Sequence, residues 1–325
     1  MVDVYFEWRI SESGYNWIET KPVISDPNSL ESKSFLTDDW GPKAPVTQRL
    51  YHPLTAHNGL CRTLADTPPD PAGIKQFADR FGPLLGGTGE AILLPQRLKN
   101  SLGHGEPLSV WHKAIFTLRQ VIEIWDMVKQ SDLEGLRRHI VWRGNLVYYQ
   151  SHPDFSPNKL PDEPFLISNA WIASDRYRAE LFQNMVPDDV IRPAEAYIQK
   201  VINDNLTNAT APRLLWNSDQ TSLSIHLQPK NLLGAIWLQL AQAIERNCSF
   251  RRCDQCQTWF EVSVQAGRSD KRYCSNACRI NAHRGRKAQA GGTRNSANVT
   301  AAPKQTTKGA KPSNKTRKPG RPRRA

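Results

Sequence analysis

The sequence predicts an α+β protein: a mainly helical N-terminal body with one small β-hairpin, then a compact cysteine-rich finger, then a disordered basic tail. Three observations lead there. Apolar residues recur at helical spacing in several stretches of the body. Five of the six cysteines fall between Cys248 and Cys278. From Ala288 onward the composition reduces to small, polar and basic residues, with Val299 the one large aliphatic side chain. The expected boundaries are residues 1–246, 247–287 and 288–325.

Within the body, Val4 to Ile10 mixes aromatic and β-branched residues and reads as a strand. Residues 19–50, rich in Pro, Ser and Asp, read as a long surface excursion. Asp70-Pro71, then Ala72 to Phe81, then Gly82-Pro83 spell a complete short helix with an N-cap, a proline at the first position and a glycine stop. Its apolar side is Ile74, Phe77, Ala78 and Phe81. Between Pro107 and Lys129, Leu108, Trp111, Ile115, Leu118, Ile122 and Trp125 alternate steps of three and four, the pattern of a core-facing helix. A third helix is expected over Asp188–Leu206. Leu214–Asn217 and Leu223–Leu227 flank Ser218-Asp-Gln-Thr-Ser222 as a hairpin. The last body helix begins near Lys230 and buries Leu233, Ile236, Trp237, Leu240 and Ile244.

Charge divides the chain. Residues 1–245 carry 23 basic and 28 acidic side chains, whereas residues 246–325 carry 20 basic and three acidic ones, and none is acidic after Asp270. A terminal region of net +17 is the footprint of a segment that meets a polyanion; the plainer alternative is a solubilising end. No apolar run reaches the roughly 18 residues of a membrane-spanning helix, and the N-terminus lacks the basic start and apolar stretch of a secretory signal. A cytoplasmic protein without a membrane partner is expected.

In a reducing compartment, clustered cysteines point to metal. Cys253-Asp-Gln-Cys256 and Cys274-Ser-Asn-Ala-Cys278, separated by seventeen residues, suit a closed tetrahedral site with structural zinc; an iron–sulfur cluster or a redox dithiol is the alternative. Trp259–Val262 and Arg272-Tyr273 are expected to form the intervening hairpin. Ser275-Asn276 would open a helix carrying the fourth ligand, and Arg251, Arg252, Lys271 and Arg272 would offset the −2 charge of four thiolates around a divalent ion. Cys248 reads as a buried or spare thiol, and His283 as an alternative ligand.

The run Leu232-Leu-Gly-Ala-Ile-Trp-Leu-Gln-Leu, then Arg251-Arg-Cys253-x-x-Cys256-x-x-Trp-Phe260, then Arg272-Tyr-Cys274-Ser resembles the CGNR-type zinc-finger proteins over about residues 230–287. The resemblance implies a helical N-terminal domain, called ABATE in many members, a treble-clef-like finger and a role as a bacterial transcriptional regulator. The naming tetrapeptide is absent: the stretch reads Cys278-Arg279-Ile280-Asn281, with three residues between the last two cysteines rather than four.

On a helix opening at Ser275, Arg279, His283 and Arg286 share a stripe, with Arg284 and Lys287 beside it, a cationic surface suited to phosphates or a major groove. Gly285 is expected to weaken or end that helix. The terminal Arg317-Lys318-Pro-Gly-Arg321-Pro-Arg323-Arg324 resembles an AT-hook, an extended Gly-Arg-Pro lying in a narrow minor groove. Duplex DNA is thus the expected partner, ahead of RNA, and a DNA-binding regulator the expected function. The alternative is a protein-interaction adaptor with a purely structural finger. The body carries no catalytic constellation: Gly86-Gly87-Thr-Gly89 lacks the lysine of a P-loop, and His52, His57 and Cys61 read as unrelated positions rather than a second metal site. An enzyme is not expected, and the body would sense a small molecule or a protein.

Overall fold

The computed structural model describes residues 6–20, 33–38, 48–86, 89–93, 102–143, 146–149, 186, 188–216, 221–262 and 270–292. The chain forms two units, Met1–Cys278 and Arg279–Ala325.

In the first unit, β1 (Trp8–Ser11) is followed by β2 (Asn16–Thr20), β3 (Lys33–Thr37) and β4 (Gln48–Tyr51). β1 pairs antiparallel with β4. The strand expected over Val4–Ile10 is thus described from Trp8 onward, its first residues lying outside the described ones. The supposed excursion over residues 19–50 contains the end of β2, all of β3 and all but the last residue of β4. Phe35 and Leu36 in β3 are buried, an apolar pair too short to stand out against its polar flanks. Next come α1 (Pro53–Ala56), α2 (Leu60–Ala65) and α3 (Pro71–Phe81). The third has the expected caps: Asp70 accepts from the Ala72 and Gly73 amides, and Gly82 follows at φ 90. Such a cap is worth about 1 kcal/mol. Ile74, Phe77, Ala78 and Phe81 are all buried. β5 (Glu90–Leu93) and β6 (Leu102–Pro107) complete an antiparallel sheet of order β2-β3-β6-β5.

The long helix α4 (Leu108–Gln130) runs through the middle of the core, with Trp111, Ile115, Leu118, Ile122 and Trp125 buried as the spacing requires. It packs against α2 and β3. After it come α5 (Leu133–His139), β7 (Ile140–Arg143), β8 (Leu146–Tyr149) and α6 (Ile191–Ala209). The third expected helix therefore starts and ends three residues late; the Asp189 carboxylate caps it by accepting from the Ile191 amide at 2.9 Å. β9 (Thr210–Trp216) and β10 (Leu223–Pro229) form the expected hairpin, longer than its apolar ends suggested. α7 (Leu232–Glu245) is capped by Asn231 and buries Leu232, Ile236, Trp237 and Leu240. From α7, the Gln239 amide accepts from the Cys61 N–H at 3.0 Å and donates to the His57 carbonyl at 2.8 Å, which stitches α7 to the α1–α2 turn.

The architecture is mixed helix and strand with several small sheets, so a mainly helical body with a single hairpin understates its β content. Most of the missed strands have only four or five residues, too few for a period of two to show. Among the described residues, no helix is long and apolar enough to cross a membrane.

Candidate metal centre

Two further strands, β11 (Ser249–Arg252) and β12 (Trp259–Val262), pair antiparallel from Ser249↔Val262 to Arg252↔Trp259. The Cys253 amide then donates to the Thr258 carbonyl at 3.0 Å, so the hairpin is closed by the segment between the first two cysteines. Inside it, the Gln257 amide donates to the Cys253 carbonyl at 2.9 Å, and Gln257 sits at φ 57, a conformation that costs a non-glycine residue about 1 kcal/mol. This corrects the expected pairing: β12 runs beside the strand that precedes Cys253, and Arg272-Tyr273 is not a strand. Arg272 contacts the turn differently, its carbonyl accepting from the Asp254 amide at 3.1 Å and its side chain pairing with the Asp254 carboxylate at 2.7 Å.

The second cysteine pair lies where a helix begins. α8 (Asn276–Gly292) opens as expected, the Ser275 hydroxyl accepting from the Cys278 amide at 3.2 Å. Cys274 precedes the helix and Cys278 is in its first turn.

All four Sγ atoms lie within 4.8 Å of one another, with Cys256–Cys274 and Cys274–Cys278 both at 3.5 Å. A tetrahedral ion bound to sulfur at about 2.3 Å places its ligands about 3.8 Å apart. The donor set therefore fits a closed four-sulfur site for one metal ion. Cys253 is buried and Cys256 exposed, with the other two between. Burial works against ionising the Cys256 thiol, but hydrogen bonds from Thr258 and the neighbouring thiols bring it down to about 6. Burial and the adjacent thiols push Cys274 up to about 12.

Other expected participants are elsewhere. The Cys248 thiol, buried, donates to the Glu261 carboxylate at 2.9 Å and is pushed up to about 11 by burial and that carboxylate. Cys61 is fully buried, which pushes its thiol up to about 12. Among the described residues, the four finger cysteines are the one group of metal-ligating side chains brought together. Of the cations expected to balance the thiolates, Arg252 pairs with Asp66 at 2.6 Å, Arg272 with Asp254, and Lys271 lies over the Phe260 ring at 5.3 Å.

Sequence reasoning missed how the finger hairpin is held. Trp259 and Arg252 both donate to Asp66, the residue after α2. A Cβ added to Gly59 would sit 2.6 Å from the Trp259 carbonyl oxygen. The Arg62 guanidinium lies within 5.6 Å of the Trp125, Phe250 and Trp259 ring centroids and makes two hydrogen bonds, 2.6 and 2.5 Å, to Asp126. Lys129, at the end of α4, donates to the Cys248 carbonyl at 2.7 Å and the Ser249 hydroxyl at 3.1 Å. Where α2, α4 and β12 meet there is an open cleft of about 390 Å³, bordered by Arg62, Asp66, Arg119, Glu123, Asp126 and Trp259. No local motif announces these contacts, since their partners are more than sixty residues apart in sequence.

In the second unit, Arg279, His283, Arg284 and Arg286 are exposed on α8. Lys287 lies in the same helix, its side chain outside the described residues. Gly285 neither ends nor breaks the helix, which continues to Gly292 and so takes in the first residues of the expected tail. Arg317, Lys318, Arg321, Arg323 and Arg324, the AT-hook-like segment, lie outside the described residues. No family model, no curated protein and no solved structure matches this chain.

Proposed function

We propose that the chain is a zinc-dependent nucleic-acid-binding protein, a DNA-binding transcriptional regulator of the CGNR-type kind, with a treble-clef-like finger. The observation that carries the reading is α8: it begins at two of the four clustered cysteines and presents Arg279, His283, Arg284 and Arg286 to solvent in a region with no acidic residue after Asp270. Structural zinc would be held by Cys253, Cys256, Cys274 and Cys278. A site filled by four thiolates leaves no position for a reactive water, which favours a binding role over an enzymatic one. The basic residues of the C-terminal segment would add sequence-independent hold on phosphates. The body would sense a ligand or partner, and the cleft shared by Arg62, Asp126 and Trp259 would couple it to the finger.

The test is a salt series of duplex DNA binding by the full chain, with structured RNA in parallel. About six phosphate contacts predict a log–log slope near −5. Charge reversal at Arg279 and Arg286 should weaken binding at least tenfold and flatten the slope; a flat response in the unmodified chain would refute the reading.

The attachment of β11 and β12 to the body favours a second reading, in which the finger is a structural clip in a protein-interaction adaptor. There, Arg279→Glu with Arg286→Glu spares function while Cys274→Ser abolishes it.

A further inference from the structure

The β9–β10 hairpin presents an apolar face that is exposed among the described residues. Cross-strand neighbours run Pro212↔Leu227, Leu214↔Ile225 and Trp216↔Leu223. All six residues are exposed, Trp216 at 62%, Leu214 at 61% and Ile225 at 73%. Strand alternation explains their grouping, since every second residue points the same way. The intervening residues include Arg213 and the buried His226 on the opposite face. Among the described residues, β9 and β10 pair only with each other. Thr210 and Pro229, at the base, are buried against the body.

We propose that this face is a self-association surface, and that its occupant is the same face of a second copy of the chain. Two properties select that occupant. The three rungs carry no charged side chain, so a nucleic acid, an anionic bilayer or a charged peptide would find no electrostatic complement there. An antiparallel ribbon has a local twofold axis, here through the middle rung Leu214↔Ile225, with one apolar rung on either side. Laid face to face on a copy about a twofold axis, every apolar rung meets an apolar rung, the self-complementarity that an isologous dimer requires. The proposal is independent of nucleic-acid binding and stands if that reading fails.

Sedimentation equilibrium of the full, zinc-loaded chain tests it, over concentrations from about 1 to 100 μM, about −8 to −5.5 kcal/mol of association free energy. The expected result is a monomer–dimer equilibrium. Leu214→Glu and, separately, Ile225→Glu should each shift the dissociation constant upward by at least tenfold, with circular dichroism melting unchanged because both positions are exposed. A chain that stays monomeric over the whole range overturns the proposal, whether another protein, a bilayer or the chain's own remaining length covers the face. So does a dimer that persists in both variants.

Discussion

Trp259 lies directly against Gly59: the second strand of the finger hairpin crosses the N-terminus of α2 so closely that a methyl group at Gly59 would sit 2.6 Å from the Trp259 carbonyl oxygen. Real Cβ contacts do not occur at that distance, so Gly59→Ala must push β12 away from α2. The expected cost is about 1–3 kcal/mol, that of overpacking a well-filled site. Hydrogen exchange should quicken in β11 and β12 while the amides of α4 and α7 keep their protection. Uniform loss of protection would show that the hairpin is not a separable layer.

Arg62 joins three aromatic rings to one carboxylate at the same junction. Truncation by Arg62→Ala removes the paired hydrogen bonds to Asp126 and the cation–π contacts. Because the Asp126 side chain is about a third exposed (35%), water recovers part of the loss, and the expected destabilisation is about 2 kcal/mol rather than the larger figure for a fully buried pair. Arg62→Lys should recover little, since an ammonium cannot fork to a carboxylate and stack at once. Urea denaturation of the two variants measures both values, and recovery by lysine would contradict the stacking role.

Glu106 supplies a pH signature. Its carboxylate is buried and accepts from the amides of Leu84 and Gly86 at 3.0 and 2.9 Å. Burial pushes it up to about 7, against the lowering effect of those amides. A carboxyl raised in this way holds its proton in the folded chain while the unfolded chain releases it near about 4.3. The associated stability is full below that value, declines as pH rises towards 7, and is gone above it. Zinc uptake changes with pH in the opposite sense, because thiols must lose protons to bind. The informative quantity is therefore the difference between the wild-type chain and Glu106→Gln, each zinc-loaded: the wild type should lose stability relative to the variant between pH 5 and 7, as read by thermal melts. A difference independent of pH would contradict the assignment.

Cysteines in the two settings should respond differently. Cys278→Ser removes a ligand, and zinc should be released at chelator concentrations that leave the wild type loaded. Cys61→Ser should keep its zinc and lose about 1–3 kcal/mol, because the new hydroxyl is buried among apolar groups. Metal content after dialysis against chelator separates the two.

What could be read from the sequence followed the range of the interactions. The α3 helix was legible in full because its cap, first proline and terminal glycine are local, and α4 because its apolar stripe persists over many turns. The four cysteines were legible through spacing, and Ser275 through its place before the helix. The strand partner of β12 was not, since the pairing of Arg252 with Trp259 depends on where the Cys253–Cys256 turn reverses the chain. Nor was the anchoring of the finger: Asp66, Arg62 and Lys129 look like ordinary surface charges until folding brings them to Arg252, Phe250 and Cys248. The continuation of α8 through Gly285 went against an intrinsic penalty of about 1 kcal/mol, smaller than the combined preference of the good helix formers around it.

The central claim is that Cys253, Cys256, Cys274 and Cys278 together close around one zinc ion. Metal analysis with zinc-edge X-ray absorption on the full purified chain tests it most directly. The account predicts one zinc per chain with four sulfur neighbours at about 2.3 Å. A first shell containing nitrogen or oxygen, or a chain that takes up no zinc when it is supplied, would contradict it.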